Sequence, residues 1–193
     1  MHEIDFIVER VTRENYHKFD DMVRWRMTGV ELTAEEKEAN RGRRFDEAYK
    51  ELEHSGFYSY AAVCDGRFVG WISMMYTPKI GPRWKKGMIY VDELWTAPEF
   101  RRKGVATQLM QKAFECQKEM GAVEARLYVG ADNVAAQELY KRCGMRPTGT
   151  ALFMRSDGSQ LEQAADETHG IGIEETSAKL RFARRNERLT VRV

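Results

Sequence analysis

The sequence predicts an α/β (α+β) fold, a mixed and mostly antiparallel central sheet flanked by helices, and three observations predict it. The chain has 193 residues, 42% of them apolar and 32% charged, which suits one soluble globular domain and excludes collagen-like, disordered and membrane-spanning classes. Two strand-like runs, residues 57–64 and 67–76, flank Asp65 and Gly66, the dipeptide that best tolerates positive φ in a two-residue hairpin turn. From residue 88 onward the order strand, helix, strand, helix implies a parallel crossover added to a sheet that began antiparallel.

Residues 4–11 are rich in β-branched and aromatic side chains and read as a strand, after which Thr12 offers an N-cap for a helix running to about Trp25 or Met27. Thr33 and Glu36 have capping-box spacing. Phe45, Ala48, Tyr49 and Leu52 then recur at helical period until Ser55 and Gly56, so a second helical region broken near Gly42 is expected. Beyond the hairpin, residues 77–86 contain Pro78, Gly81 and Pro82 and read as a loop, and residues 88–96 form the third strand. Val105, Leu109, Ala113, Phe114 and Met120 lie on one helical stripe that Gly121 stops. Val123, Ala125, Leu127 and Val129 alternate as a strand. Asn133 caps a shorter helix carrying Ala136, Leu139, Tyr140 and Cys143 before Gly144. The predicted domain is residues 4–155. Residues 156–193 are a C-terminal extension in which Leu180 with Phe182, and Leu189 with Val191 and Val193, suit two arms of a hairpin.

Lys plus Arg total 31 against 30 for Asp plus Glu, a formal charge of +1, so no long-range field recruits nucleic acid or an anionic membrane, and neither is expected as a partner. Cys64, Cys116 and Cys143 are odd in number, far apart and outside any Cys-x-x-Cys pair, which argues against a disulfide framework and points to a reducing compartment. Residues 1–5 carry His, Glu and Asp before any apolar run, no segment approaches the roughly 20 apolar residues of a membrane span, and a cytoplasmic location is expected. His2, His17, His54 and His169 are scattered without ligand spacing, so no metal site is expected.

Chemistry concentrates in residues 88–140. Asp92 and Glu93 interrupt an apolar run of Ile89, Tyr90, Val91, Leu94 and Trp95. In a strand buried on both faces, unpaired carboxylates cost several kcal/mol or stay protonated, so they are either solvated acids on an edge strand or part of a site. Neighbouring strand residues point to opposite faces; at most one of the two looks into a given groove, and the other is expected to pair with an Arg or Lys. Downstream, Arg101, Arg102, Lys103, Gly104, Val105 and Ala106 form a basic, small-residue turn leading into a helix. Backbone N–H groups and the positive end of the helix dipole at such a turn suit a phosphate, and Gly104 and Ala106 permit close backbone approach. The turn is neither a Walker loop nor the three-glycine dinucleotide pattern.

Arg or Gln, two residues, Gly, one residue, then Gly or Ala is the central pattern of the GNAT superfamily of N-acetyltransferases, and the run from Arg101 to Ala106 resembles it. The resemblance extends to the preceding strand with Ala97, Pro98, Glu99 and Phe100, and to a second motif of Asn133, Ala136, Leu139 with Tyr140, Gly144 and Met145. It covers about residues 4–155. Ala106 stands where Gly is commoner, Trp95 is bulky beside the expected groove, and the extension has no counterpart.

The resemblance implies the GNAT fold, in which two parallel strands splay to admit the pantetheine arm of acetyl-CoA. Leu94, Trp95 and Thr96 would then meet the pantetheine through main-chain groups, Arg102, Lys103, Gly104, Val105, Ala106 and Thr107 would cradle the pyrophosphate, and Arg101, which opens the motif, would belong to the same cofactor-binding set. Asn133 would steady the cofactor arm while also capping its helix. Tyr140 would lie against the cofactor as general acid for the departing thiolate, or be only an aromatic on its helix's core stripe. Glu93 is favoured as general base acting through water, with Asp92 the rival, and the amide of Leu94 or Trp95 would polarise the thioester carbonyl. The implied activity is acetyl transfer from acetyl-CoA to a primary amine of a small molecule or peptide, by direct attack in a ternary complex. The alternative is a non-catalytic acyl-CoA-binding sensor. Lys179, Arg181, Arg184, Arg185, Arg188 and Arg192 make the extension basic, which suits either a binding module or, given the alternating apolar residues, a hairpin with a charged outer face. Arms that cross to a second subunit would give a homodimer.

Overall fold

The computed structural model describes residues 5–79 and 87–149. The chain divides into two units, Met1–Arg146 and Pro147–Val193, and every element described belongs to the first. The hairpin expected in the C-terminal extension, with the homodimer contact built on it, lies outside the described residues.

Five strands, β1 (Ile7–Arg10), β2 (Phe57–Cys64), β3 (Arg67–Thr77), β4 (Met88–Thr96) and β5 (Glu124–Arg126), form one sheet in sequential order. The first three pairings are antiparallel and the β4–β5 pairing is parallel, giving the expected mixed sheet. Three helices, α1 (Tyr16–Thr28), α2 (Ala34–Arg41) and α3 (Asp46–Leu52), precede β2, α4 (Val105–Glu119) joins β4 to β5, and α5 (Val134–Arg142) follows. One face of the sheet meets α4 and α5 over a core that includes Ile72, Met74, Ile89, Leu109 and Met110, all fully buried. The other meets α1 over Met22, Trp71 and Phe68. Burial of each such large apolar side chain contributes about 1.5–3 kcal/mol.

Local chemistry sets the element ends. Asp65 and Gly66 both take positive φ, 49° and 74°, as a two-residue hairpin turn requires. Thr33 and Glu36 form the full capping box of α2, and the helical region breaks at Gly42 as expected. Three expectations need correction. Thr12 does not cap α1: Asn15 Oδ1 accepts its N–H at 2.7 Å while Asn15 Nδ2 donates to the Arg10 carbonyl at 2.9 Å, and this side-chain turn delays the helix to Tyr16. The first strand begins at Ile7, on the sheet's edge. The alternation of residues 123–129 yields only three strand residues, with Val123 51% and Val129 37% exposed, because the pairing partner on β4 is lost after Arg126.

A bulge in β4 decides which way its last residues face. Ser73 pairs with Glu93 and Met74 with Val91, so Asp92 is an extra residue without a β3 partner. Ile89, Val91 and Leu94 consequently all pack into the α4-side core, whereas Trp95 packs on the α1 side. Without the extra residue Leu94 would turn to the opposite face.

β3 and β4 approach closely at Gly70, where a Cβ would fall 2.8 Å from the Trp95 carbonyl oxygen and 3.1 Å from Val105 Cγ1. Since the backbone and α4 cannot both withdraw, Gly70→Ala is expected to lower stability by about 1–3 kcal/mol. A fall in the urea midpoint at constant slope checks this, and an unchanged midpoint would show that the contact relaxes freely.

Candidate active site

β4 and β5 pair only from Met88, Ile89 and Tyr90 to Glu124, Ala125 and Arg126. Beyond that point the strands part, leaving residues 91–96 of β4 without a β5 partner. Thr96, at the end of this edge, is 8% exposed, and its Oγ1 is buried with no hydrogen-bond partner among the described residues. A buried hydroxyl left unpaired costs about 1–3 kcal/mol, so Thr96 marks the edge as a place for a polar ligand group.

The edge runs through a 3₁₀ turn, Pro98–Phe100, into the N-terminus of α4. Gly104 is the N-cap there, with φ 88° and no side-chain cap. Arg102 also holds positive φ, 60°, a conformation uncommon for a side-chain-bearing residue. Left-handed residues in such a turn aim successive N–H groups into one concavity, which suits an anion. α2 and α5 carry a side-chain cap, whereas α1, α3 and α4 do not. A Cβ on Gly104 would meet nothing within 4 Å, so the space over the turn is open. The basic side chains are less uniform in role. Arg101 Nε donates to the Thr96 carbonyl at 3.1 Å and closes the turn, and Lys103 lies over the Phe100 ring. Gly104, Val105, Ala106 and Thr107, with Arg102, make up the turn and the first residues of α4.

Asn133 Oδ1 accepts the Ala136 N–H at 3.1 Å, the expected capping role, and Gln137 Nε2 donates to the carbonyls of Gly130 and Ala131, both at 3.0 Å. These bonds fix the loop between β5 and α5. Tyr140, half-buried on α5, packs against the same core cluster as Leu94. Burial, and secondarily Cys143, push its phenol pKa up, so it stays a neutral proton donor; among the described residues its hydroxyl has no hydrogen-bond partner.

The two acids of β4 are treated differently by the fold. Glu93 Oε1 accepts from Arg26 Nη1 at 2.6 Å and Oε2 from Trp71 Nε1 at 3.3 Å, which is the expected pairing of one acid with an Arg. Asp92, on the bulge, is exposed and forms no ion pair among the described residues. Burial, and then the Asp92 charge, raise the pKa of Tyr90. Trp95 leaves the groove side clear: its ring packs against Trp71 at 5.0 Å and Trp25 at 5.8 Å between centroids. Tyr140 and Glu93 thus lie on opposite faces of the sheet, with the unpaired β4 edge between them.

Arg26, Trp71 and Gln137 were not singled out by the sequence. Arg26 is 67 residues from its partner Glu93, and no local spacing signals such a contact. Among the described residues no group of three or more His, Cys, Asp or Glu converges as metal ligands would, and no helix is long and apolar enough to cross a membrane.

Comparison with known proteins agrees with this geometry. The profile of the Acetyltransferase (GNAT) family matches residues 21–145. An uncharacterised N-acetyltransferase of Bacillus subtilis is 30% identical over 156 residues, spanning 76% of this chain and 96% of its own length. One from Methanocaldococcus jannaschii is 38% identical over 60 residues, 31% of this chain, and the match spans only 26% of that relative's length. Among solved structures, the aminoglycoside N-acetyltransferase AAC(6′)-Iy in complex with CoA superposes with a TM-score of 0.61 at 16% identity, covering 79% of this chain and 95% of that one. That likeness is one of fold.

Proposed function

The chain belongs to the GNAT family of acetyltransferases, and we propose that it transfers the acetyl group of acetyl-CoA to a primary amine by direct attack in a ternary complex. The observation that carries this reading is the continuous run from the unpaired β4 edge, with its orphaned Thr96 hydroxyl, into the uncapped, glycine-opened turn of α4. An extended arm ending in a pyrophosphate fits such a run, the arm on strand backbone and the phosphates on helix N–H groups.

Bound there, acetyl-CoA supplies an activated acyl group on a thiol leaving group. The chain's own residues do the rest. An amide of Leu94 or Trp95 donates toward the carbonyl oxygen, where negative charge develops. Tyr140, kept protonated by its burial, gives its proton to the sulfur. Of the two acids, we assign Asp92 as the base working through water, since it is exposed and without an ion-pair partner among the described residues. Glu93 is already held by Arg26 and Trp71 and suits recognition.

Thiol release measured across polyamines, aminoglycosides, amino acids and peptides tests the activity. Turnover on at least one amine is expected; tight acetyl-CoA binding with no turnover on any would favour a sensor. Asp92→Asn is expected to lower kcat/KM by about ten- to a hundredfold, most at low pH where the amine is largely protonated and base assistance matters most. Equal losses at every pH would remove the base role.

A further inference from the structure

On the α1 side of the sheet the Arg26 guanidinium meets both the Glu93 carboxylate and the ring of Trp71. Arg26, in the last turn of α1, places its guanidinium carbon 5.4 Å from the centroid of the Trp71 ring and its Nη1 2.6 Å from Glu93 Oε1. Trp71 is fully buried and donates its own N–H to the other oxygen of the same carboxylate. A carboxylate fixed at the edge of an indole whose face is covered by a cation is the arrangement that binds alkylammonium and guanidinium groups.

The Arg26–Glu93 pair is easily displaced. The Arg26 and Glu93 side chains are 43% and 42% exposed, and an ion pair this open to solvent is only weakly held. Trp95 packs on Trp71 in a tilted arrangement with centroids 5.0 Å apart, and Glu93 is adjacent on the strand to Asp92, so the site lies beside the proposed reacting centre. The nitrogen that attacks must arrive uncharged, which leaves any second positive charge of the acceptor as the group this site would read.

Resting on the acetyl-transfer reading above, we propose that Glu93 and Trp71 form a cation subsite for a second positive charge on the acceptor amine, and that Arg26 is an internal occupant which this charge displaces. Arg26 then acts as a specificity-determining residue: it keeps Glu93 paired when no acceptor is bound and sets a threshold that only a well-placed cation passes. The acceptor class is a diamine or an amine bearing a separate ammonium or guanidinium group.

An Arg26 that is displaced and an Arg26 that merely supports the site differ in the sign of what its removal does. In Arg26→Gln, the ratio of kcat/KM for 1,4-diaminobutane over that for n-butylamine is expected to rise roughly three- to tenfold, the size of one cation–π and charge contact made available. Arg26→Lys keeps a cation at the site and is expected to hold the ratio within about twofold of wild type. A titration of the full chain with the same two amines, without acetyl-CoA and read by tryptophan fluorescence, is expected to show tighter diamine binding in Arg26→Gln than in wild type. A ratio that falls or stays put in Arg26→Gln, with far-UV circular dichroism unchanged, overturns the proposal, as does a titration in which the variant gains nothing for the diamine. If neither amine is acetylated by any form, the acetyl-transfer reading fails on this pair and the fluorescence titration alone decides the subsite.

Discussion

Tyr140→Phe is expected to lower kcat by about 10²- to 10⁴-fold, the range for a lost general acid, while leaving the Kd for acetyl-CoA within about twofold of wild type. The split follows from geometry. The ring of Tyr140 packs against the core on the α4 side of the sheet, and phenylalanine keeps that packing, so fold and cofactor groove survive. What disappears is one O–H with no hydrogen-bond partner among the described residues. The sign of the pH effect follows from burial, with a smaller contribution from Cys143, which raises the phenol pKa above its usual value near 10. The donor form is therefore retained to higher pH than an exposed tyrosine would allow, and an alkaline limb in kcat, where it is seen, lies above pH 10 and is absent in the variant. Single-turnover rates check this independently of product release; a variant with wild-type chemistry would make Tyr140 a packing residue.

The sheet was legible in the sequence because its signals are local. Asp65-Gly66 fixes a turn by φ alone, and residues 88–96 match β4 residue for residue, since apolar periodicity and the flanking Pro and Gly bound it. The motif positions at Gly104 and Asn133 were legible for the same reason, one as a small residue opening a turn at a helix start and the other as an N-cap. The bulge at Asp92 was not, because an extra residue is defined by what lies opposite it on β3, and a single strand carries no record of its partner's register. Simple alternation put Asp92 and Glu93 on opposite faces without showing that only Glu93 would find an arginine. The start of α1 was misread for a related reason: Thr12 and Asn15 both suit a cap, and the choice depends on a hydrogen bond from Asn15 back to Arg10. The short β5 was overread because alternation over residues 123–129 continues where the sheet does not.

Gly104→Val is expected to raise the Kd for acetyl-CoA by about a hundredfold or more, the equivalent of losing one or two hydrogen bonds to a charged group at about 1.5–3 kcal/mol each. Two effects act together at this position. At φ 88° a β-branched residue strains the backbone by roughly 1–3 kcal/mol, which tilts the turn and the N–H groups it presents. Its side chain also enters the space over the turn, where a Cβ now meets nothing within 4 Å. Gly104→Ala separates the two, because it carries the same unfavourable φ but adds a single methyl group. If occlusion of phosphate dominates, alanine and valine lower thermal stability by similar amounts while valine loses much more affinity. If strain dominates, affinity falls in step with stability in both. A folded Gly104→Val chain that binds acetyl-CoA as wild type does would place the pyrophosphate elsewhere, and the case for the β4 edge would then rest on Thr96 alone.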